Sequence, residues 1–314
     1  MTKPLISIVI ANYNYGRFLD EAIQSVIAQD MGDKVELIIC DAASTDNSVE
    51  IIRKYAGGLP PNTARSEWDN AQSQDSQLST HNSKLISWWC SEKDGGQSAA
   101  FNKGFSHARG EWLTWLNADD LYFPGALKAF SSLVAKRPKA EWITGNKVHF
   151  NDKTGRVVRV HWGPNVMPPF LSGNRASSGV YGPTAFWRHD LYIKLGGIDE
   201  RMHYAMDTEY WARFTMAGVR QTRLRCFCWA FRDHEESKTS GEQSSEVAEK
   251  RSNETRYWRL KTGYTYRHDF SNLWYFIWFL WRLVDGSLIQ RQLFMKMYKG
   301  RRLQFVRSRL TGVA

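Results

Sequence analysis

The stretch Leu5-Ile-Ser-Ile-Val-Ile-Ala11 is a continuous apolar run, and it decides the fold class that we expect. A helical pattern of apolar residues follows it, and a second apolar run from Val35 to Cys40 leads into a second helical pattern. Strands that are apolar throughout and alternate with helices are typical of a parallel sheet covered on both faces. The sequence therefore predicts an α/β fold with a mostly parallel central sheet flanked by helices.

Polar side chains follow three of the predicted strands. Tyr13 comes after the first strand and Asp41 after the second, while Glu111-Trp-Leu-Thr-Trp-Leu-Asn-Ala-Asp-Asp120 is a buried strand that ends in two carboxylates. In parallel sheets, ligands bind beyond the carboxyl ends of the strands. Adjacent carboxylates repel each other, and a divalent cation such as Mg²⁺ or Mn²⁺ is a common way to hold them together. The alternative for Asp119 and Asp120 is a solvated turn before a helix that has Pro124 in its first turn.

The same periodicity predicts the remaining elements. The polar segment from Leu59 to Ser83 is expected to be a long surface excursion. The predicted strands cover Leu85 to Trp89, two runs within Glu141 to Val160, Val180 to Trp187 and Gln221 to Phe231, and the predicted helices cover Gln97 to Ala108, His189 to Leu195 and Met206 to Met216.

Charge and cysteine content exclude some classes of function. The net charge of the 314 residues is +10, but residues 271–314 hold eight Lys or Arg and one acid, so about +3 remains for the first 270 residues. A nucleic-acid surface on the main body is therefore not indicated. The four cysteines show no metal-binding spacing, which favours reduced thiols in a cytoplasmic protein.

Four segments together resemble the nucleotide-sugar half of family-two, GT-A-type inverting glycosyltransferases. They are Ser7–Asn14, Asp41–Asp46, Ser91–Gly104 and Asn117–Asp120. Gly196–Glu200 and Met206–Arg213 resemble the acceptor half of the same family. The resemblance covers about residues 5–240, and it is closest to the non-processive enzymes that build bacterial surface polysaccharides.

This resemblance implies a Rossmann-like GT-A domain over residues 1–240, with a nucleotide-sugar half (5–120) and an acceptor half (121–240). It also implies transfer of one sugar, with inversion, from a nucleotide-diphosphate sugar (a UDP-sugar first) to a hydroxyl of a glycan or polyprenyl-linked oligosaccharide. A processive polymer synthase would need a multi-span channel and a Gln-x-x-Arg-Trp element, and neither is found in the sequence.

The resemblance also implies roles for single residues. Asp207 would be the general base, with Glu209 as the neighbouring substitute, although a carboxylate there is also good helix capping. Asp120 would bind Mn²⁺ or Mg²⁺, and His234 would be a further metal ligand or phosphate contact, unless it is a surface residue. The residues that would contact the nucleotide sugar are Ala11, Asn12, Tyr13, Asp41, Asp94, Gln97, Asn102 and Asp119. Tyr13 on its own is equally compatible with a half-buried turn residue, and Lys103 with a solvated cation.

The segment 241–314 is expected to be a helical tail. Leu273 to Val284 is apolar on nearly every side but shorter than the ~20 residues that span a membrane. Aromatic and basic residues together favour an interfacial helix on an anionic membrane surface. The protein would then be cytoplasmic and peripherally attached to the inner face of the cell membrane. Docking of the tail on the protein's own core, or a homo-oligomer formed through it, is the alternative.

Two other classes of protein are alternatives. A sugar-nucleotide nucleotidyltransferase has a similar sheet, but it would need a Gly-rich, basic loop after the first strand, and Asn12-Tyr-Asn-Tyr-Gly16 lacks one. A non-catalytic glycan-binding protein on the same scaffold would not need Asp119, Asp120 and Asp207.

Overall fold

The structure is a computed structural model that describes residues 3–72, 85–165, 180, 182–238, 245–263 and 271–310. The strands in the described part are β1 (Ile6–Asn12), β2 (Val35–Asp41), β3 (Ile86–Ser91), β4 (Trp112–Asn117), β5 (Leu121–Tyr122), β6 (Trp142–Asn151), β7 (Arg156–His161), β8 (Ala185–Arg188) and β9 (Gln221–Asp233). The α-helices there are α1 (Gly16–Ile27), α2 (Ser48–Ala56), α3 (Arg65–Gln72), α4 (Gln97–Ser106), α5 (Ala126–Lys136), α6 (His189–Leu195), α7 (Met206–Met216), α8 (Ser245–Thr262), α9 (Ser271–Val284), α10 (Ser287–Tyr298) and α11 (Leu303–Leu310).

The chain forms two compact units. The first contains Met1–Tyr122 and Phe186–Glu200, and the second contains Phe123–Ala185 and Arg201–Ala314. The predicted boundaries at residues 120 and 240 stay predictions.

The first unit is built on a parallel sheet in the order β3-β2-β1-β4, with β8 antiparallel to β4. Every residue of β2 is buried, and apart from Glu36 and the final Asp41 its sequence is apolar without alternation. Helix α4 packs closely against β1 because it carries Gly104 there. A Cβ on Gly104 would lie 2.3 Å from Val9 Cγ1. The predicted α/β class with a mostly parallel sheet is confirmed.

The register of this sheet brings the strand ends into one row. Asn12 pairs with Asp41, and Asp41 pairs with Ser91 on the next strand. On the other side of β1, Ala11 pairs with Asn117. The polar residues that end four apolar strands therefore lie side by side at the carboxyl edge, as the sequence predicted for Asp41.

The second unit contains β6, which pairs with β7 in antiparallel and with β9 in parallel orientation. Helix α8 packs against α7, and two polar side chains of α8 contact the α7 region. Glu254 accepts hydrogen bonds from backbone N–H groups just before α7, and Lys261 forms an ion pair with Glu209. The first helix of the segment predicted as a tail is thus tied to α7.

Helix α10 and the segment that follows it pack against β7. Val160 N–H donates to Met295 Sδ at 3.0 Å, and Val157 N–H donates to the carbonyl of Arg301 at 2.9 Å. The ring of Phe294 lies 4.6 Å from that of Trp162, between centroids. The predicted helical tail is confirmed, and within the described residues no helix is both long and apolar enough to cross a membrane.

Three details of the sequence prediction were wrong. The strand expected from Val180 to Trp187 is only β8, and a 3-10 helix, Gly182–Thr184, precedes it. The helix expected around Pro124 begins at Ala126, because Gly125 at its N-cap adopts a left-handed φ of 76°. The polar excursion contains α3, whose Arg65 is buried and donates to the carbonyl of Ile86. Residues 73–84 of that excursion lie outside the described part.

Candidate functional site

Asp41 is the centre of a dense hydrogen-bond network in the first unit. Its Oδ1 accepts from Asn12 Nδ2 at 2.6 Å and from Ser44 Oγ at 2.5 Å. Its Oδ2 accepts from the Ser44 backbone N–H at 3.0 Å and from Ser91 Oγ at 2.6 Å. A carboxylate offers about four acceptor sites, so protein donors use all of them. Asp41 therefore holds three segments together at the sheet edge, and a ligand would have to displace one of these donors to reach it.

Asn12 and Tyr13 present different groups at the same edge. Asn12 donates through Nδ2 to Asp41 and Ser44, while its buried Oδ1 has no hydrogen-bond partner among the described residues. This assignment of the amide oxygen follows from the hydrogen-bond network. Tyr13 is 61% exposed, and Ala11 is part of the ladder. The edge thus combines an accessible aromatic side chain with an acceptor that needs a donor.

Asp119 and Asp120 are both buried, at 9% and 1% exposure. Asn117 orients the second carboxylate, since its Nδ2 donates to Asp120 Oδ2 at 2.8 Å. Gln97 Nε2 donates in turn to Asn117 Oδ1 at 3.2 Å. Two residues singled out from the sequence, Gln97 and Asp120, are therefore connected through Asn117, to which the sequence had assigned no role.

Asp94 and Asn102 have structural partners. Asp94 Oδ1 accepts from the Gly96 N–H at 2.8 Å, which closes the turn before α4. Asn102 forms two hydrogen bonds with the backbone of Ile198, one through Oδ1 and one through Nδ2, each 2.8 Å long. A Cβ on Gly197 would lie 2.6 Å from Asn102 Oδ1, which explains the glycine. Asn102 thus connects helix α4 to the loop after α6 through these hydrogen bonds.

Lys103 forms an ion pair with Glu92 at 2.8 Å. This contact agrees with the solvated-cation interpretation of Lys103, since both side chains are partly exposed.

The carboxylate pair fits a hard divalent cation by its donor chemistry. Mg²⁺ and Mn²⁺ prefer oxygen ligands, and proteins usually bind Mg²⁺ through one or two carboxylates while substrate phosphates complete the sphere. Asp119 and Asp120 supply such oxygens. Within the described part of the chain, no group of three or more His, Cys, Asp or Glu side chains could hold a metal ion. A cation bound by Asp119 and Asp120 would take its remaining ligands from water or from the substrate.

Asp207 in the second unit accepts fewer hydrogen bonds than Asp41. Its Oδ1 accepts from the backbone N–H of Thr208 at 2.7 Å and from Thr208 Oγ1 at 3.2 Å. Its Oδ2 has no hydrogen bond within the described residues. Burial among protein atoms raises the pKa of Asp207, while the Thr208 donors and the Lys147 charge oppose that rise. Such a carboxylate has one open oxygen and an increased affinity for a proton.

Glu209, the neighbouring acid, is held by cations on both sides. It is fully buried, and its two oxygens bind Arg213 and Lys261, each at 2.9 Å. Because both oxygens are engaged, Glu209 is a structural ion-pair residue in this conformation, and Asp207 is the better candidate for a base.

Glu254 positions the loop that leads to Asp207. Its Oε1 accepts from the His203 N–H at 2.9 Å, and its Oε2 accepts from the N–H groups of Tyr204 and Ala205 at 2.8 and 2.9 Å. Backbone N–H groups at the start of a helix lack intrahelical partners and favour a negative charge. The sequence analysis missed Glu254, because nothing in the pattern of α8 indicates which loop it meets.

His234 follows β9 and is buried. Its carbonyl accepts from the Ser237 N–H at 3.1 Å, which forms a turn. The surface interpretation of His234 is therefore wrong, and its role as a metal ligand or phosphate contact stays a prediction.

Comparison with known proteins identifies the family. The profile of glycosyl transferase family 2 matches residues 7–195. The chain belongs to this family. An uncharacterized glycosyltransferase of Nostoc sp. is 36% identical over 123 residues, which are 39% of this chain and 30% of the relative. One from Mycobacterium tuberculosis is 27% identical over 234 residues, covering 73% of this chain and 76% of the relative. One from Rickettsia typhi is 23% identical over 222 residues, and the match spans 59% of its length.

Solved structures show the same fold. A fragment of S. aureus TarS in complex with UDP-GlcNAc superposes with a TM-score of 0.57 at 17% identity, over 78% of this chain and 64% of that one. The mannosyltransferase PcManGT from Pyrobaculum calidifontis, in complex with GDP-Man and Mn²⁺, gives a TM-score of 0.50 at 15% identity, over 99% and 84%. This glycosyl transferase family 2 chain therefore has the predicted GT-A fold.

Proposed function

We propose that this chain is an inverting glycosyltransferase that moves one sugar from a nucleotide-diphosphate sugar to a hydroxyl of a glycan or polyprenyl-linked acceptor. The observation that carries the proposal is the row of strand ends in the first unit. There, the buried pair Asp119 and Asp120 lies at the same sheet edge as the hydrogen-bonded Asp41 and the buried Asn12 oxygen, which has no hydrogen-bond partner among the described residues. Membership of the family supports the same reaction class.

The nucleotide would bind at the carboxyl end of β1. Tyr13 offers an exposed aromatic ring on which a base can stack. The side-chain oxygen of Asn12 needs a donor, and the imide N–H of uracil is one, which favours a UDP-sugar. Asp41 keeps Asn12 oriented in this arrangement.

Asp120 and Asp119 would hold Mg²⁺ or Mn²⁺ together with the donor phosphates, and the cation would stabilise the charge of the departing nucleoside diphosphate. Asn117 and Gln97 orient the Asp120 carboxylate for this purpose. The Mn²⁺ in the PcManGT complex supports a divalent cation in this fold.

Asp207 would act as the general base. Its open Oδ2 takes the proton from the acceptor hydroxyl while that oxygen bonds to the anomeric carbon and the bond to the nucleoside diphosphate breaks. The raised pKa of Asp207, caused first by burial, brings its proton affinity closer to that of a working base at neutral pH.

A screen of nucleotide sugars by thermal stabilisation tests the donor site. A ligand at 100 times its dissociation constant stabilises the folded state by about 2.7 kcal/mol. We expect a UDP-sugar with Mn²⁺ or Mg²⁺ to stabilise the protein and a chelator to reverse this effect. Asp120→Asn should remove the metal-dependent part, whereas Asp33→Asn, the same change at an exposed residue, should not. Stabilisation that survives both chelation and Asp120→Asn would refute the metal role, and no stabilisation by any nucleotide sugar would refute the function.

The tail would attach the protein to an anionic membrane surface. Helix α9 exposes Phe276, Phe279, Leu280 and Leu283 at helical spacing. Ile289, Leu293 and Met297 form a second exposed stripe on α10. Residues 271–314 carry eight basic side chains and one acidic one, which complements anionic headgroups.

Vesicle flotation tests this attachment. The full chain should float with vesicles that contain phosphatidylglycerol and stay behind with pure phosphatidylcholine. Changing Phe279, Leu280 and Leu283 to serine should reduce flotation, whereas the single change Phe305→Ser on α11 should reduce it less. If the protein instead forms a dimer that ignores vesicles and the serine variant is monomeric, the stripes are a contact between copies.

A further inference from the structure

Two turns lie side by side at the carboxyl edge of the sheet in the first unit. Residues 12–16, the β1 turn, connect β1 to α1, and residues 42–46, the β2 turn, follow β2. They are neighbours because Asn12 pairs with Asp41 in the parallel ladder. The Ala42 N–H continues this ladder, since it donates to the carbonyl of Asn12 at 2.9 Å.

Asn14 connects the two turns through its backbone and its side chain. Its N–H donates to Ser44 Oγ at 2.8 Å, and its Oδ1 accepts from the Thr45 N–H at 2.8 Å. A group that faces a backbone N–H must be the amide oxygen, so the network fixes the orientation of this amide. Asn14 also has a left-handed φ of 53°, a conformation that asparagine adopts more readily than most residues. Both its conformation and its contact with the β2 turn therefore favour asparagine at this position.

Gly16 brings the far end of the β1 turn against the β2 turn. Its N–H donates to Asp46 Oδ2 at 2.8 Å. A Cβ on Gly16 would lie 2.0 Å from Asn47 Oδ1 and 2.9 Å from that same Asp46 oxygen, so the approach requires a glycine. Asn12, Asn14 and Gly16 thus fix the β1 turn at three alternate positions.

Tyr13 lies between two of these fixed positions, and its side chain is 61% exposed. In the same turn, the buried Oδ1 of Asn12 has no hydrogen-bond partner among the described residues. An aromatic ring and an acceptor on adjacent residues can contact one base together only in a particular conformation of the backbone between them. A turn that is ordered before binding avoids the entropic cost of ordering it during binding.

We propose that Asn14 is a positioning residue, which holds the β1 turn in the conformation in which Tyr13 and Asn12 contact the base of the nucleotide sugar. It acts through the Thr45 N–H, so its loss leaves the four hydrogen bonds of Asp41 in place. A released turn would spend less time in the binding conformation, and the apparent affinity would fall by the same fraction. The inference rests on the proposed function, because it concerns the base site of that function.

Titration of the full chain with UDP and with inorganic diphosphate, both with Mg²⁺, tests this role. Both ligands contain the diphosphate, so the ratio of their affinities reports the base site. Asn14→Gly tolerates the left-handed φ but lacks the acceptor, and it should lower this ratio about 2- to 10-fold, the contribution of one neutral hydrogen bond. Asn14→Asp keeps an acceptor oxygen and should retain the ratio. The matched control is Asn62→Gly, at an exposed residue with a left-handed φ of 57°, which should leave the ratio unchanged.

Transfer kinetics provide a second measurement on the same variants. Asn14→Gly should raise the KM for the nucleotide sugar by about the same 2- to 10-fold factor, because the turn acts on binding. The kcat at saturating nucleotide sugar should be unchanged, since the reacting groups keep their places. A kcat that falls while KM stays constant would overturn the positioning role.

The affinity ratio also separates this role from a purely structural one. An Asn14→Gly protein that is less stable but has the wild-type ratio would show that Asn14 supports folding alone, and the inference would be wrong. Equal losses of UDP and diphosphate affinity would place the effect at the phosphates, which also contradicts it. If Asn14→Asp loses as much as Asn14→Gly, Oδ1 is not the responsible group. Absence of UDP binding in the wild type would count against the proposed function, whereas UDP binding that is normal in both wild type and Asn14→Gly would refute only this inference.

Discussion

Asp41 in the first unit and Asp207 in the second are carboxylates that the protein surrounds in opposite ways. Asp41 receives four hydrogen bonds from Asn12, Ser44 and Ser91, which use both of its oxygens. Within the described part of the chain, the hydrogen bonds to Asp207 come from its neighbour Thr208 and reach Oδ1. Burial raises the pKa of Asp207 because these bonds and Lys147 compensate the charge only in part.

The number of hydrogen bonds that a carboxylate accepts decides whether it can hold its neighbours in place or take up a proton. A saturated carboxylate fixes its neighbours and has no lone pair left for a substrate proton. A carboxylate with an unused oxygen and an elevated pKa can accept a proton in a transition state. The two environments therefore support a positioning role for Asp41 and the proposed chemical role of Asp207.

The substitution with the largest expected effect is Asp207→Asn. We expect sugar transfer to fall about 10²- to 10⁴-fold, the usual contribution of a general base, while donor binding is unchanged. Steady-state transfer and donor thermal stabilisation, measured on the same preparation, check this. The control is Glu209→Gln, which disturbs ion pairs with Arg213 and Lys261 and should lower stability more than it lowers turnover. Transfer that survives in Asp207→Asn and disappears in Glu209→Gln would reverse the assignment.

Asp41→Ala should have the next largest effect. The affected quantities are the unfolding free energy and the donor affinity. It leaves the donors of Asn12, Ser44 and Ser91 without their acceptor, which should cost about 2–4 kcal/mol of unfolding free energy. Donor affinity should fall at least about tenfold, because Asn12 loses its orientation. Chemical denaturation and donor titration measure the two effects. Asp33→Ala, at an exposed position, is the matched control. If Asp41→Ala lowers only turnover, the positioning role is wrong.

The pH dependence of turnover and of the unfolding free energy tests the raised pKa of Asp207. Turnover should fall up to tenfold per pH unit below the raised pKa of Asp207, because the base must be deprotonated. The unfolding free energy should change in the opposite direction, falling as pH rises. The raised folded-state pKa makes the ionised form unfavourable, so this contribution is present at low pH and is lost as pH rises through the folded pKa. Asp207→Asn should therefore lack that loss. An identical pH dependence of unfolding free energy in wild type and variant would contradict the raised pKa.

Sequence patterns predicted the sheet and its polar carboxyl edge because both depend on local periodicity. The apolar runs of β1, β2 and β4 indicate parallel strands, and ligands bind at the carboxyl ends of such strands. Asn102 shows where this reasoning stops. Its predicted contact with the nucleotide sugar stays a prediction, and the sequence did not indicate the hydrogen bond that it donates to the carbonyl of Ile198, 96 positions away. Periodicity indicates which residues are buried, whereas it contains no information on which distant backbone a polar side chain meets.

Glu254 is the counterpart of Asp41 in the second unit, since both of its oxygens accept hydrogen bonds from neighbouring protein groups. It lies on α8, in the segment expected to form a separate tail, and it binds the backbone N–H groups of His203, Tyr204 and Ala205. These groups precede Asp207 by two to four positions. The negative charge of Glu254 therefore stabilises the start of α7 and fixes the direction from which Asp207 enters it.

Glu254→Gln should consequently have the smallest of these effects on turnover. The amide keeps one acceptor oxygen but loses the charge, so we expect kcat to fall severalfold and unfolding free energy to fall by about 1–3 kcal/mol, with donor KM unchanged. Glu246→Gln on the same helix, which removes only an exposed ion pair with Lys250, should change neither quantity by much. A kcat that is unaffected in a destabilised Glu254→Gln protein would show that the loop before Asp207 keeps its conformation without this carboxylate. A positioning carboxylate would then be supported only in the first unit, by Asp41.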